Sequence, residues 1–304
     1  MKAVVLVGGE GSRLRPLTSW LPKSVLPIAG RPFIAYMLDW LRGHGVDEAI
    51  MSCGYLAASI SELLGDEQEG VRLRYVVERE PLGTGGAIEN AARDLDEAFV
   101  VCNGDVLTDL DLTALVELHR ARGARATIAL QRVDDPSRYG LVRTAADGAV
   151  QAFVEKPPPG EQDVDTINAG TYVLEPAVLE LVPRGRMVSV EREVFPRLVG
   201  DGLYARPDRC RWRDIGTLES YLEANLEEMP DGGLVDPGAG VAASAEVRDS
   251  VVGDGASVGE GARVAESVLL PGASVGAGAS VLRAIVGPRA TVEEGARQEG
   301  GIAW

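Results

Sequence analysis

The stretch KAVVLVGGEGSRLRPLT, residues 2–18, predicts how the N-terminal part of the chain is built. Residues 2–7 are a short, mostly apolar run that predicts a buried strand. A glycine-rich loop with two arginines follows this strand directly. Because open α/β sheets bind ligands beyond the carboxyl ends of their strands, the stretch predicts a ligand-binding loop.

Strand-like and helix-like segments alternate through the first two thirds of the chain. The strand patterns cover residues 2–7, 48–53, 71–77, 98–105 and 126–130, the fourth ending in a turn. The helix patterns cover residues 32–45, 87–95 and 112–123. This alternation predicts an α/β fold with a mostly parallel sheet that is covered on both faces.

A different pattern begins after residue 230, where the helical signal ends and a repeat of 17 residues appears. Apolar side chains recur in steps of 6, 6 and 5 residues, at Val235, Val241, Val247, Val252, Val258, Val264, Leu269, Val275, Val281, Val286 and Val292. The twelfth position holds Gln298, where the repeat is predicted to be capped. Hexad spacing is typical of a parallel β-helix. We therefore expect two domains, residues 1–229 and residues 230–304.

The overall charge excludes several classes of partner. The net charge is −16, so the protein should repel nucleic acid and anionic membranes. No apolar run approaches the roughly 20 residues of a membrane helix. The three cysteines lack metal-binding spacing and are interpreted as free thiols of a reducing compartment, which predicts a cytoplasmic location.

The N-terminal segment is basic although the protein is acidic. Residues 1–32 contain five basic residues and one acid, Glu10, which predicts a small anionic ligand. Only three of the 30 basic residues are lysines: Lys2, Lys23 and Lys156. Lys23 lies in LPKS and Lys156 in VEKP, settings in which a compact charge could be required.

Three interpretations of the glycine loop are open. It lacks the Walker A pattern, and the third glycine of a dinucleotide fingerprint is replaced by Leu14. An ordinary strand-to-helix turn is the structural alternative. Glycines that let a polyphosphate approach backbone N–H groups, with Arg13 and Arg15 as charged donors, explain the pattern best.

Of the two histidines, His44 is interpreted as a helix-cap neighbour and His119 as solvated.

The chain resembles the sugar-1-phosphate nucleotidylyltransferases. The matching pieces are GGEGSRLRPLT, PKSVLPIAGRP, EPLGTGGAI, NGDVL, RYG, VEKP, NAGTYVL and WRDIGT, in family order. The resemblance implies a Rossmann-like domain, to which several members append a left-handed β-helix. EPLGTGG and SVEREVFP look most like mannose-1-phosphate guanylyltransferases. EPLGTGGAI also resembles heptose-1-phosphate guanylyltransferases, whereas thymidylyltransferases usually carry a different stretch there.

The resemblance implies a reaction in which a sugar 1-phosphate attacks a nucleoside triphosphate, giving a nucleotide sugar and pyrophosphate. It implies Arg13 and Lys23 as catalytic residues and Asp105 and Asp214 as ligands of Mg²⁺. The implied nucleotide-binding residues are Leu6, Gly8, Gly9, Gly11, Ser12, Arg13, Gly83 and Thr84. The implied sugar-phosphate-binding residues are Gly140, Glu155, Lys156, Asn168 and Gly170.

Several alternatives remain at this point. GTP with mannose 1-phosphate is the expected pair, and glucose 1-phosphate with dTTP or UTP, or heptose 1-phosphate with GTP, are alternatives. An acyltransferase β-helix is disfavoured because residues 230–304 contain no histidine. An NAD-binding protein is disfavoured by the missing third glycine, where Leu14 stands, and by the basic run GSRLR. A non-catalytic regulatory subunit is disfavoured because Arg13, Lys23, Asp105 and Asp214 are all present. A homo-oligomer is expected.

Overall fold

The computed structural model describes residues 1–54, 57–134, 140–155 and 164–304, and of residues 140, 154 and 155 it describes only the backbone. The α-helices are α1 Leu17–Trp20, α2 Phe33–Gly43, α3 Ala57–Leu64, α4 Gly83–Ala92, α5 Leu112–Arg122, α6 Phe195–Leu198 and α7 Leu218–Glu228. Shorter 3₁₀ turns are Ser12–Leu14, Lys23–Val25 and Pro176–Leu181, and a π-helical turn is Val190–Val194.

The strands before residue 230 are β1 Lys2–Leu6, β2 Pro27–Ile28, β3 Arg31–Pro32, β4 Glu48–Cys53, β5 Glu67–Gln68, β6 Val71–Val77, β7 Phe99–Asn103, β8 Val106–Thr108, β9 Ala126–Arg132, β10 Gly140–Thr144, β11 Val150–Glu155, β12 Thr166–Leu174, β13 Leu203–Asp208 and β14 Trp212–Asp214. The strands after it are β15 Leu234–Val235, β16 Gly240–Val241, β17 Glu246–Arg248, β18 Val251–Val252, β19 Ser257–Val258, β20 Arg263–Ala265, β21 Val268–Leu269, β22 Ser274–Val275, β23 Ser280–Leu282, β24 Ile285–Val286, β25 Thr291–Val292, β26 Arg297–Glu299 and β27 Ile302–Ala303.

The chain forms two compact units. Unit 1 contains Met1–Gly9 and Ile34–Trp212, and unit 2 contains Glu10–Phe33 and Arg213–Trp304. These units are not the two domains expected from the sequence, and the boundary between residues 229 and 230 stays a prediction.

The sheet of unit 1 has a parallel centre in the order β7-β1-β4-β6. Val4 of β1 is paired with Ile50 on one side and Val101 on the other. All three are fully buried, as expected for parallel strands that are covered on both faces. The sheet continues with β12 antiparallel to β7, and β10 antiparallel to β12.

Two expectations for unit 1 need correction. Helix α4 begins at Gly83 rather than at residue 87, because glycines have poor helix propensity and conceal the first turn in the sequence. The side chain of His119 is buried rather than solvated, with 2% of the residue exposed. Its ring nitrogens lie 2.9 Å from Thr127 Oγ1 and 3.3 Å from Glu175 Oε1. The charged neighbours in the HRARG sequence concealed the inward face of α5.

Unit 2 contains the predicted β-helix, and the fold-class prediction, a Rossmann-like sheet followed by a left-handed parallel β-helix, is confirmed. Each coil adds one strand to each of three parallel sheets. Val241, Val258, Val275 and Val292 are successive partners on one sheet, as the 17-residue period predicts. Val258 is 2% exposed, whereas Val241 in the first coil is 37% exposed because it has a neighbouring coil on one side only.

Serines support one corner of this β-helix. The buried Oγ of Ser250 accepts a hydrogen bond from the backbone N–H of Ser267 at 3.1 Å. The Oγ of Ser267 in turn accepts from the N–H of Ala284 at 3.1 Å and donates to the carbonyl of Ala265. Each serine therefore ties its own coil to the next one.

At the last coil, the amide of Gln298 donates to the carbonyl of Gly300, and β27 still pairs with β24.

Within the described ranges of the chain, no helix has both the length and the apolar character needed to span a membrane.

Candidate active site

The first part of the site lies at the carboxyl ends of β1, β4 and β7 in unit 1. The N–H of Gly104 donates to the carbonyl of Leu6 at 2.9 Å, and a Cβ on Gly104 would lie only 2.6 Å from that oxygen. A Cβ on Gly8 would lie 3.3 Å from the backbone nitrogen of Gly54. By contrast, a Cβ on Gly9 would meet nothing within 4 Å. The loop backbone therefore packs closely on the strand ends at Gly8 and faces open space at Gly9.

Asp105 lies in the turn between β7 and β8 and is half-buried. It follows Gly104 directly, so the close approach of Gly104 to Leu6 fixes where the carboxylate-bearing residue stands. The sequence prediction that Asp105 follows a strand is thus consistent with the described backbone.

Glu78 lies beside Gly8 of the glycine loop and was not predicted from the sequence. Its carboxylate accepts hydrogen bonds from Ser52 Oγ and from the backbone N–H of Leu82, both at 3.1 Å. A Cβ on Gly8 would lie 3.2 Å from Glu78 Oε1. Glu78 is therefore hydrogen-bonded to the residue before the GTGG segment and lies close to Gly8.

The PLGTGG stretch forms the first turn of α4. Gly83 has a φ of +70°, and a Cβ there would lie 2.6 Å from the carbonyl oxygen of Val188. Backbone hydrogen bonds of 2.8 Å join Gly85 to Val188 and Val188 to Leu82. Thr84 Oγ1 donates to Glu191 Oε2 at 2.8 Å. This turn therefore requires glycine at residue 83 and is fixed by a segment about 100 residues further along.

Four of the five predicted sugar-phosphate residues fall on three neighbouring strands. Asn168 Oδ1 accepts from the N–H of Gly170 at 2.9 Å in β12. Gly170 has a φ of +75°, and a Cβ there would lie 2.6 Å from Asn103 Nδ2. Gly140 of β10 and Glu155 of β11 are directly paired residues. Lys156 lies outside the described residues.

In unit 2, Gly11 forms the other end of the glycine loop. Its φ is +59°, and its carbonyl accepts hydrogen bonds from Thr18 Oγ1 at 3.0 Å and from the N–H of Leu14 at 2.9 Å. Ser12 begins the 3₁₀ turn that follows, and Leu14 is fully buried. Burial of Leu14, the residue that replaces the third glycine of a dinucleotide fingerprint, anchors this turn.

Arg13, Lys23 and Asp214 come together in unit 2. Lys23 Nζ lies 3.9 Å from Asp214 Oδ1, and the Lys23 side chain is 12% exposed. Gly216 lies beside Arg13 and Asp214. A Cβ at residue 216 would be 2.9 Å from Arg13 Nη2 and 3.2 Å from each carboxylate oxygen of Asp214. Two cations and one carboxylate thus share a small volume, an arrangement suited to binding phosphate oxygens and a cation together.

Each of the two candidate carboxylates, taken by itself, is an oxygen donor of the kind that Mg²⁺ prefers. Among the described residues, no three His, Cys, Asp or Glu side chains are grouped as a metal site. Asp105 and Asp214 each offer a carboxylate, and Mg²⁺ typically takes one or two carboxylates and completes its shell with phosphate oxygens and water.

Cys53, Cys102 and Cys210 are free thiols, and Cys53 and Cys102 are buried. Burial raises the pKa of both buried thiols to about 12, so they stay protonated at neutral pH.

The chain belongs to the nucleotidyl transferase family. Residues 2–229 match the model of that family, described as nucleotidyl transferase, and residues 231–302 match the model described as the GMPPB C-terminal domain. The family recognised from the sequence motifs is therefore confirmed.

Individual relatives have related names. The chain is 44% identical over 230 residues to a mannose-1-phosphate guanylyltransferase of Mycobacterium tuberculosis, covering 74% of this chain and 64% of the relative. It is 37% identical over 241 residues to a UTP–glucose-1-phosphate uridylyltransferase of Synechocystis, covering 74% and 62%. The crystal structure of HddC from Yersinia pseudotuberculosis complexed with GMP-PN matches with a TM-score of 0.64 at 32% identity, covering 74% of this chain and 98% of that one. The matched region thus spans somewhat less than two thirds of these curated relatives.

Proposed function

We propose that this protein transfers a guanylyl group from GTP to mannose 1-phosphate, giving GDP-mannose and pyrophosphate. The observation that carries the proposal is the cluster of Arg13, Lys23 and Asp214 around Gly216. The identity of 44% to a mannose-1-phosphate guanylyltransferase favours this substrate pair over others.

In this reaction an oxygen of the sugar 1-phosphate attacks the α-phosphorus of the triphosphate. A phosphorus–oxygen bond forms to the sugar phosphate, and the bond to the pyrophosphate breaks, carrying its electron pair away. The attacking oxygen is already anionic at neutral pH, so no protein base is needed. The protein contributes positioning and electrostatic stabilisation. Arg13 would hold the departing pyrophosphate, and Lys23 would stabilise the charge on the α-phosphate.

Members of the family generally use a divalent metal ion. We propose that Asp105 and Asp214 are the ligands for Mg²⁺. When bound, the ion would neutralise part of the negative charge of the triphosphate. Lys23 near Asp214 then has a second task, which is to hold that carboxylate in place before the substrate arrives.

Binding roles follow the same proposal. The nucleotide would contact Leu6, Gly8, Gly9, Gly11, Ser12, Gly83 and Thr84, with Gly83 and Thr84 next to the base. The sugar phosphate would contact Gly140, Glu155, Lys156, Asn168 and Gly170, with Lys156 at the phosphate. The open space at Gly9 and the positive-φ turns at Gly83 and Gly170, where the backbone is tightly packed, support these assignments.

A second candidate pair is UTP with glucose 1-phosphate, which the Synechocystis relative favours. The pairs of dTTP with glucose 1-phosphate and of GTP with heptose 1-phosphate are retained as further alternatives. Homo-oligomer formation and a cytoplasmic location also stay predictions.

The test is a product screen of purified protein with Mg²⁺, in which five nucleoside triphosphates are combined with mannose, glucose and heptose 1-phosphates. We expect the fastest pyrophosphate release with GTP and mannose 1-phosphate, and a matching nucleotide sugar by mass spectrometry. Faster turnover of another pair would reassign the substrates. No turnover with any pair by folded protein would favour the regulatory-subunit alternative.

A further inference from the structure

Glu191, which has no role in the proposed reaction, stands at the centre of a hydrogen-bond chain in unit 1. It lies in the π-helical turn Val190–Val194 and is half-buried. Its Oε2 accepts from Thr84 Oγ1 at 2.8 Å and from Ser189 Oγ at 2.6 Å. Its Oε1 accepts from Tyr172 Oη at 3.3 Å. An ionised carboxylate only accepts hydrogen bonds, so all three hydroxyl protons point at Glu191.

The chain continues from Tyr172 into β12. Tyr172 is fully buried, and its Oη accepts from Asn168 Nδ2 at 2.9 Å. With Nδ2 directed at Tyr172, Asn168 Oδ1 is turned to the N–H of Gly170, from which it accepts at 2.9 Å. Burial, and after it the negative charge of Glu191, raises the pKa of Tyr172 well above its usual value, so the phenol keeps its proton. The orientation of the Asn168 amide therefore follows from the carboxylate of Glu191.

The other end of the chain fixes the first turn of α4. Thr84 Oγ1 donates to Glu191 and accepts from the N–H of Val190 at 2.9 Å. These two hydrogen bonds leave the Thr84 hydroxyl one orientation. Thr84 is next to Gly83, whose φ of +70° and close approach to Val188 already restrict the turn.

We propose that Glu191 is a positioning residue that couples the turn at Gly83 and Thr84 to the segment at Asn168 and Gly170. The proposal rests on the proposed function, in which these two segments contact the nucleobase and the sugar. Glu191 would touch neither substrate. Its carboxylate would fix the orientation of both segments. Binding of the nucleotide to the first segment would then favour the geometry that the second segment needs to bind the sugar phosphate, and the reverse.

Kinetics of Glu191→Gln and Tyr172→Phe test this arrangement. Glutamine keeps the shape but has a single acceptor oxygen, so we expect KM for both substrates to rise about tenfold, the scale for loss of a charged hydrogen bond. Tyr172→Phe interrupts only the branch to Asn168, so KM should rise for the sugar phosphate and stay unchanged for the triphosphate. In the double variant, KM for the sugar phosphate should be no higher than in Glu191→Gln alone.

Two further variants separate positioning from folding. Glu193→Gln changes a carboxylate of the same turn that pairs with Arg186 instead, and should behave like the wild type. Thr84→Val removes the hydroxyl that donates to Glu191 and should raise KM for the triphosphate. If Glu191→Gln matches Glu193→Gln in both KM values, or if its only change is a lower melting temperature, the proposal is overturned.

Binding affinities measured by calorimetry distinguish failure of the proposed reaction from failure of the proposed role of Glu191. Mannose 1-phosphate and a non-hydrolysable GTP analogue are titrated separately and together into the wild type and Glu191→Gln. We expect each ligand to strengthen binding of the other in the wild type but not in the variant. Absence of turnover with intact, Glu191-dependent coupling would reject the proposed reaction alone. Equal coupling in both proteins, or none in the wild type, would reject the role of Glu191.

Discussion

The ammonium group of Lys23 lies 3.9 Å from Oδ1 of Asp214, although the two residues are 191 positions apart in the sequence. Both belong to unit 2, which contains Glu10–Phe33 and Arg213–Trp304. A cation and a carboxylate at this distance neutralise one another until a substrate or a metal ion competes for them. Asp214 thus holds the ammonium group of Lys23 in place before a substrate binds.

The first prediction concerns the lysines. Lys23→Ala should lower kcat by about 10²–10³, the scale for losing one preorganised electrostatic contact, with a smaller effect on the KM of the triphosphate. Lys2→Ala is the matched control, since Lys2 pairs with Glu48 at the surface. Steady-state kinetics of the two variants provide the measurement. Equal, small effects of both would show that Lys23 has no catalytic task.

The second prediction concerns Gly216. A methyl group there would lie 2.9 Å from Arg13 Nη2, and the flexible arginine side chain has to move away. Gly216→Ala should therefore lower kcat/KM by about 10²-fold, the cost of misplacing a catalytic group by about 1 Å, with an unchanged melting temperature. Gly43→Ala, where a Cβ meets nothing within 4 Å, is the control. Wild-type activity of Gly216→Ala would show that the position of Arg13 is unimportant.

The third prediction concerns the stacked valines of the β-helix. Val258→Asp places a charge among buried neighbours, which destabilises the protein by several kcal/mol, on the order expected for an unpaired buried polar group or more. Val241→Asp, one coil earlier on the same sheet, should cost much less because that side chain is 37% exposed. Thermal melting of the two variants compares them directly. Equal losses would mean that the inward assignment of Val258 is wrong.

The fourth prediction concerns the serine corner. Ser267→Ala removes the acceptor for the buried N–H of Ala284, which should lower the free energy of unfolding by about 1–3 kcal/mol. Ser257→Ala removes a hydroxyl that pairs with Ser274 at the surface, and should change it by less than about 0.5 kcal/mol. Denaturant unfolding measures both. A loss no greater for Ser267→Ala than for Ser257→Ala would contradict the structural role of this corner.

The fifth prediction is a pH dependence of stability. Burial lowers the pKa of His119 below its ordinary value of 6.5, so the unfolded chain binds this proton more tightly than the folded protein. The stabilisation is present above pH ~6.5 and is lost as the pH falls from there toward the folded-state pKa. Unfolding at about pH 5.5 and about pH 7.5 should show a stability loss on acidification that is smaller in His119→Gln. His44→Gln should retain the loss, and a loss unchanged in His119→Gln would exclude His119 as its source.

Much of the fold could be predicted from local sequence patterns. The apolar run of β1 and the 17-residue period of the valines report burial directly, because each side chain that faces inward must be apolar. The register Val241–Val258–Val275 follows from that period alone. The antiparallel strands β10 and β12 were not predicted, since their pairing depends on distant partners rather than on a local pattern.

The supporting residues of the site were beyond sequence reasoning for a similar reason. Glu191 contacts Thr84 from 107 positions away, and Glu78 contacts Leu82 and Ser52 from different elements. On its own, each glutamate looks like a solvated surface residue. The motif SVEREVFP was the available signal for Glu191. The motif does not indicate which hydroxyl groups donate hydrogen bonds to the Glu191 carboxylate. Folding brings them together.

The central claim is direct transfer of a nucleotidyl group to a sugar 1-phosphate, and oxygen labelling tests it most directly. Mannose 1-phosphate with ¹⁸O in its phosphate group is incubated with GTP, Mg²⁺ and the wild-type protein, and both products are analysed by mass spectrometry. We expect all of the label in the nucleotide sugar and none in the pyrophosphate, because the labelled oxygen attacks the α-phosphorus. Label in the pyrophosphate, or pyrophosphate released without a nucleotide sugar, would contradict the account.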